Sequence, residues 1–426
     1  MAQQRSAVVI GGGIAGLSAA LRLAESGARV TLIEGSARLG GKLLTVDGRE
    51  AGAENFLMRD PAGGPSAAAG LATELGLEIV HPSGVPAALF LDGKLKPLPG
   101  GTILGIPGPQ TDLTGVATVS GADVDAGKPV LAPGTDVAVG ELVRERLGDD
   151  LVRKLVDPLL GGVYAGWADQ LSLAATMPGV HKLLQSEHTL VGAVAKAMRP
   201  TGGGPVFGTV VGGLSRLVDS VAYRLGELGV AIRLGSPVRD LSEVDADGIV
   251  LAVPGGKAHR LLPAVPPLGY ASVALISLVL PRTTLPELSG FLVPEGEGLT
   301  IKAATFFGRK WPHLPPEEVL VRASLGRAGA AEVLQRPDTE LAEIAYRDLS
   351  LALGGLDKPV RSAVHRWGGG LPQYPPGHIA RVAEARESLR GTNITLAGAA
   401  YDGIGIPACI KSGATAARTL LEGWDS

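Results

Sequence analysis

Ala7-Val8-Val9-Ile10-Gly11-Gly12-Gly13-Ile14-Ala15-Gly16 is the stretch on which the fold turns. Ala7 to Ile10 has the length and apolarity of a buried strand. Gly11, Gly13 and Gly16 follow at the G-x-G-x-x-G spacing, and Ala19 to Ser26 continues as a helical pattern. Arg29 to Glu34 (RVTLIE) is a second strand pattern, ending in an acid eighteen residues beyond Gly16. Strand, glycine turn, helix, strand and acid together make a βαβ unit of the dinucleotide-binding type. The glycines permit a tight turn, close approach of backbone to a pyrophosphate, and close packing of helix on strand. The helix N-terminus, carrying Ile14 and Ala15, presents its partial positive charge to the phosphates. Glu34 can accept hydrogen bonds from a ribose diol. Arg5 with Ala7 to Leu21 also has the outline of a secretory leader. A leader does not account for the second strand and its acid, so that reading is set aside.

The residues after Glu34 select the cofactor. Glu34, Gly35, Arg38, Gly40, Gly41 and Lys42 match the E-x-x-x-R-x-G-G-[RK] pattern typical of flavoproteins of the amine oxidase type. Arg38 can set a positive charge near the diphosphate. Gly40 and Gly41 let the chain pass a ribityl group without side-chain clash. Non-covalently bound FAD is the expected cofactor.

The chain has 426 residues, enough for two or three domains and a sizeable core. Lys and Arg number 39 against 42 Asp and Glu, so the strong cationic surplus of a nucleic-acid binder is lacking. Gly numbers 62 and Pro 31 with no G-X-Y period, which excludes collagen. The mean hydropathy of +0.25 is high, yet no run approaches the ~18 apolar residues of a membrane span. A single cysteine, Cys409, excludes a disulfide framework and fits a reducing cytosol, so a cytoplasmic protein with no transmembrane segment is expected.

The expected fold class is α/β: a Rossmann-type FAD domain, a mixed-sheet substrate domain and a helical domain. The FAD domain is expected to be discontinuous, from 1–60, 205–257 and 361–426. A largely helical domain is expected over 61–204 with a hairpin near 88–98, and a substrate domain over 258–360. Residues 100–136, rich in Gly, Pro, Thr and Asp, read as irregular. Helical patterns run over 139–147, 149–160, 180–198, 215–228 and 338–353. Residues 231–234, 237–241 and 248–253 read as strands. Near the C-terminus, 394–398 is a strand ending in Gly398. Gly403-Ile404-Gly405-Ile406-Pro407 then leads into a helix over 408–421, with Pro407 suited to a first turn that needs no N–H from it. Such a helix end can stabilise negative charge on a reduced flavin ring. Gly398, Ala399, Gly405, Ile406 and Pro407 are therefore expected beside the cofactor. Val238 either meets the adenine through its backbone or is an ordinary core residue.

Five stretches point further: Gly52 to Leu57 (GAENFL), Leu155 to Pro178 (LVDPLLGGVYAGWADQLSLAATMP), Lys302 to Leu314 (KAATFFGRKWPHL), Leu371 to His378 (LPQYPPGH) and Gly403 to Ile410 (GIGIPACI). On these the chain resembles the bacterial coproporphyrinogen III and protoporphyrinogen IX oxidases over nearly its whole length. The resemblance implies an FAD-dependent, oxygen-consuming, six-electron oxidation of a porphyrinogen in haem biosynthesis, with release of peroxide. Coproporphyrinogen III is the favoured substrate and protoporphyrinogen IX the alternative; a flavin oxidase acting on an amine or polyene is a further one. A cofactor-binding escort protein without turnover is disfavoured by the intact glycine motifs. The resemblance also puts Ala53, Glu54 and Asn55 against the flavin, and leaves room for transient contact with haem-pathway enzymes.

Flavin chemistry of this kind needs a flat apolar slot more than a protein base, so no catalytic dyad is expected. The tetrapyrrole's propionates call for cations around an apolar mouth, with Arg59, Lys302, Arg309 and Lys310 as candidates. For Arg309 and Lys310 a solvated surface charge is the competing reading. Tyr164 lines the slot or packs in the core. Trp367 and Tyr374 bracket the return to the FAD domain and are candidates for the ring systems. His181 and His188 share a helix face in this reading but have no third ligand, and no metal is expected. Cys409 reads as a buried small residue with only Lys411 near enough to activate it. Ala399 and Ala400 stand where amine oxidases carry an acid, which weakens the amine reading.

Overall fold

A computed structural model describes residues 4–61, 63–198, 204–281, 283–314 and 319–425. Contacts divide the chain into two compact units. One comprises Met1–His81, Gly204–Gly269 and Ile379–Ser426; the other Pro82–Gly203 and Tyr270–His378.

The first unit is built outward from the opening strand. β1 (Ser6–Ile10) leads through α1 (Ile14–Glu25) to β2 (Arg29–Ile33), as expected. Helix α2 (Ser215–Glu227) precedes β3 (Ala231–Arg233), with β4 (Gly248–Leu251), β5 (Ile394–Leu396) and helix α3 (Ile406–Trp424) following. The five strands form a parallel sheet in the order β3-β2-β1-β4-β5. Alternation along β1 explains its unbroken apolarity. Ala7 and Val9 face the cluster holding α1, α2 and α3, while Val8 and Ile10 face a second cluster with Ile249, Leu251 and Tyr401. The segment 237–241 is not a strand. Leu241–Glu243 is a single 3₁₀ turn whose start is set by Asp240 accepting from the Ser242 N–H, a local bond that competes with sheet pairing.

The second unit centres on a seven-stranded sheet. Its order is Arg361–Pro372, Tyr270–Leu280, Val319–Leu325, Ala303–Phe306, Gly290–Leu292, Ala87–Leu91 and Lys94–Pro97. All neighbours are antiparallel except Gly290–Leu292 with Ala87–Leu91. The last two strands are the expected hairpin. Helix Asp338–Leu353 has the expected bounds and lays Leu341, Ile344, Ala345 and Leu349 on sheet residues such as Ile276 and Val321. Two placements differ from expectation. Residues 361–372, assigned to the FAD domain by sequence, lie in this sheet because they pair along Tyr270–Leu280. The 180–198 pattern is two helices, Pro178–Leu184 and Leu190–Ala197, the second capped by Thr189, which accepts from the Gly192 N–H. Residues 149–164 form one helical stretch with a π-helical turn at Val152–Val156. Between 100 and 136 the only regular elements are the short strands Thr102–Ile103 and Ile106–Pro107.

Candidate flavin and substrate sites

The nucleotide fingerprint is fixed by two contacts that only glycine permits. Gly11 has φ of +111°, and a Cβ there would meet the Ala252 carbonyl oxygen at 2.4 Å. A Cβ on Gly16 would lie 1.9 Å from the Gly11 oxygen, so helix and turn touch backbone to backbone. Gly13 caps α1 in extended conformation, and a Cβ there would meet nothing within 4 Å. The open side of the turn is therefore at the helix N-terminus, where a diphosphate needs it. Gly13 bridges to Gly40, and the Gly40 N–H donates to the Gly12 oxygen at 2.8 Å. A Cβ on Gly41 (φ +57°) would approach Gly13 Cα at 3.2 Å. The two glycine motifs are thus one surface.

Glu34 closes it. One carboxylate oxygen accepts from the Gly12 N–H at 2.6 Å and the other from the Ser36 N–H at 2.7 Å. These bonds hold the carboxylate at the end of β2, in the place that binds a ribose diol in this motif. Glu34→Ala is expected to weaken FAD binding roughly 10- to 100-fold, the equivalent of losing one or two charge-assisted hydrogen bonds. Titrating apoprotein with FAD by fluorescence checks this; an unchanged Kd removes Glu34 from the site. Arg38 does something the sequence did not suggest. It ties the turn together by donating to the carbonyls of Leu39 at 3.0 Å and Gly41 at 2.6 Å. Gly35 packs on Pro237, 3.4 Å from where its Cβ would stand, and Val238 is half-buried in the cluster containing Val8 and Ile10. The Ala53 N–H donates to the Lys42 oxygen at 3.1 Å, which joins segment 53–55 to the same loop; Glu54 is buried and Asn55 partly so.

The C-terminal arm meets α1 directly. Gly398 (φ +119°) donates its N–H to Ser412 Oγ at 2.8 Å, and Ala399 opens the short helix Ala399–Asp402. Gly405 caps α3, Ile406 is its first residue, and Pro407 lies within the first turn. Gly413, which sequence reasoning passed over, is where α3 crosses α1: a Cβ there would lie 2.0 Å from the Ala15 oxygen. Its signal was the small-residue pair Gly413 and Ala417, one helical turn apart. Cys409 is buried and its Sγ approaches the Gly403 oxygen at 3.5 Å. Burial pushes its thiol up to about 11, against the pull of Lys42, the cation that faces it in place of Lys411. Desolvation in turn lowers Lys42.

The second unit holds the other candidates except Arg59. Arg59, in the first unit, is exposed and donates to the Gly63 oxygen at 3.0 Å. Tyr164 and Tyr374 are both buried and meet edge to face at 6.0 Å, and Tyr374 stacks on His378 at 4.5 Å. Burial raises the Tyr164 phenol to about 12. Trp367 packs against the cluster of Ala165, Ala271 and Val273. Arg309 is committed within the protein, to Glu287 at 2.6 Å and the Leu285 oxygen at 2.8 Å. Lys310 lies 5.6 Å over the Trp311 ring. The two histidines do not share a helix: His181 Nε2 bonds the Thr135 oxygen, while His188 precedes Leu190–Ala197 and bonds Asp125. No cluster of three metal-ligating side chains occurs among the described residues.

Lys302 stands apart from the other cations. Its side chain is part-buried, and its ammonium makes one long bond, to the Gly161 oxygen at 3.4 Å. Desolvation, helped by the charge of Arg327, brings it down to about 7. Arg327 and Asp157, missed in the sequence, form a buried ion pair at 2.8 Å. Arg327 also donates to the Gly166 oxygen at 2.6 Å and stacks over the Trp167 ring at 3.7 Å. Asp157 lies within the distinctive 155–178 stretch and was visible there as a buried acid between apolar residues.

Comparison with known proteins follows the same line. The model of the flavin-containing amine oxidoreductase family matches residues 14–421. A protein named coproporphyrinogen III oxidase from Mycobacterium leprae is 38% identical, covering 98% of each chain. One of the same name from Bacillus subtilis is 31% identical, again over 98% of each. A solved structure from an Exiguobacterium species superposes with a TM-score of 0.86 at 30% identity and full coverage of both chains. No helix among the described residues is long and apolar enough to cross a membrane.

Proposed function

The chain belongs to the flavin-containing amine oxidoreductase family, in its porphyrinogen-oxidase branch, with FAD as cofactor; from that premise we propose that it oxidises coproporphyrinogen III to coproporphyrin III. Six electrons and six protons leave the macrocycle, and molecular oxygen takes them up in pairs as hydrogen peroxide. The observation that carries the reading is the 38% identity to a coproporphyrinogen III oxidase over 98% of both chains. The intact cradle of Gly11, Gly13, Gly16 and Glu34 adds to it. The product belongs to haem biosynthesis.

Bound FAD supplies the hydride acceptor and the route of electrons to oxygen. The chain's own residues do the rest. The N-terminus of α1, open at Gly13, receives the diphosphate, and Glu34 orients the ribose. The first turn of α3 presents backbone dipole to the ring. In the second unit, part-buried Trp367 beside Ala165 and Val273 suits a flat macrocycle, and Lys302 suits one of its carboxylates.

The test supplies coproporphyrinogen III and protoporphyrinogen IX separately to the purified yellow protein and follows porphyrin fluorescence together with peroxide. Coproporphyrin is expected to appear well above the enzyme-free rate, with peroxide. Faster turnover of protoporphyrinogen IX would shift the substrate to that alternative. Failure to oxidise either would overturn the reading, and amines or polyenes would be tried next.

A further inference from the structure

The second unit contains two cations and one acid in close array. Arg327 and Asp157 pair with each other, which leaves the charge of Lys302 unbalanced. No carboxylate among the described residues lies within ion-pair distance of it. Asp348, which reaches the chain just before Lys302, is spent on the backbone N–H groups of Thr300 and Ile301 and on Arg347. Two further polar atoms, Arg327 Nε near Gly161 and Gln373 Oε1 near Gly166, are buried without a partner. A buried cation with a single long hydrogen bond is costly in the absence of an anion. Lys302 nonetheless keeps part of its surface open to solvent.

We propose that Lys302 and Arg327 form an inner carboxylate-binding subsite in the second unit, which takes one propionate of the substrate and loads a proton onto Lys302 as it binds. This rests on the porphyrinogen reading above. Arg327 is held rigid by Asp157, Gly166 and Trp167, so it acts as a fixed charge. Lys302 is the adjustable one. Near neutrality it is half protonated, poised by desolvation and by Arg327. An incoming carboxylate neutralises the excess charge and favours the ammonium, raising its folded-state value. Binding is therefore strongest below about pH 7, where Lys302 is already charged. It weakens above that pH, where a proton must be taken from solution.

The probe is coproporphyrin III, whose carboxylates stay ionised from pH 6 to 9; protonation of its ring nitrogens is common to wild type and variants, so the slope assigned to Lys302 is the difference between them. Its Kd for the FAD-loaded protein is read by fluorescence quenching. The wild type is expected to lose affinity by up to about tenfold per pH unit above neutrality. Lys302→Met should bind roughly tenfold more weakly at pH 6, with a flat profile, in line with loss of one charge-assisted contact. Lys302→Arg should keep the acid-side affinity and lose the slope. If Lys302→Met retains less flavin than the wild type, Lys302→Arg alone decides. A wild-type slope surviving in either variant, or no binding of the probe at all, overturns the subsite. Oxidation of coproporphyrinogen by the wild type, with Lys302 variants unchanged in Kd and slope, sinks the subsite alone. Lys302-dependent binding without oxidation sinks the oxidase reading instead.

Discussion

Gly413→Ala is expected to yield a protein that unfolds several degrees, up to roughly 10 °C, below the wild type and retains little FAD. The added methyl would stand 2.0 Å from the Ala15 oxygen and 3.0 Å from the Ala19 nitrogen. Both are backbone atoms of α1, so no rotamer change relieves the clash. Helices α1 and α3 must separate or tilt. Ser18 would lose its bond to the Ile410 oxygen, made at 2.8 Å in the wild type. Overpacking of this kind costs about 1–3 kcal/mol and more against rigid backbone, and at roughly 2–4 °C per kcal/mol the shift is easily measured. The displaced turn of α1 is the one proposed to receive the diphosphate, so cofactor loss should exceed what stability alone predicts. Gly423→Ala is the control on the same helix. A Cβ there meets nothing within 4 Å, and replacing an exposed helical glycine by alanine stabilises by up to ~1 kcal/mol. Equal melting temperatures and equal flavin content in the two variants would contradict the packing argument.

The contrast between these glycines also marks what the sequence makes legible. Strand β1, helix α1, β2 and the glycine turn were readable because their signals are local: an apolar run, fixed glycine spacing and a terminal acid. Helix 338–353 was readable for the same reason, its periodicity ending at Gly354, which takes the left-handed conformation. Residues 361–372 were misplaced because their partner, Tyr270–Leu280, lies some ninety residues upstream and pairing leaves no local trace. Residues 237–241 carry apolar residues at both ends, yet Asp240 commits the backbone to a turn. The site divides in the same way. The place of Glu34 at the end of β2 was legible, whereas the character of Lys302 depends on Gly161 and Arg327, one far upstream and the other beyond a strand. A lysine in a sequence carries no sign of how much water surrounds it.

Asp157→Asn is expected to destabilise the second unit by about 3–5 kcal/mol, the range for removing one partner of a buried ion pair. Both carboxylate oxygens of Asp157 accept: one from the Ala168 N–H at 2.9 Å, the other from Arg327 at 2.8 Å. The asparagine is nearly isosteric but has one acceptor and one donor in those places. Whichever way the amide turns, an N–H group faces an N–H group, and the Arg327 charge is left buried without its counter-ion. Side-chain exposures of 13% for Arg327 and 11% for Asp157 leave little room for water to compensate. Arg327→Met should cost a similar amount by stranding the acid. The double variant Asp157→Leu/Arg327→Met should recover much of the loss, because packed apolar groups replace a buried pair with little penalty. The coupling energy from the cycle made by Asp157→Leu, Arg327→Met and their double variant, measured by denaturant unfolding, is therefore the decisive number. A value within ~0.5 kcal/mol of zero would show that the pair contributes nothing specific. A large value would leave one further consequence to check in the same proteins. The double variant should stay folded while losing the fixed positive charge beside Lys302, so its amine should return toward the ordinary lysine range and the pH slope of coproporphyrin binding should move upward with it.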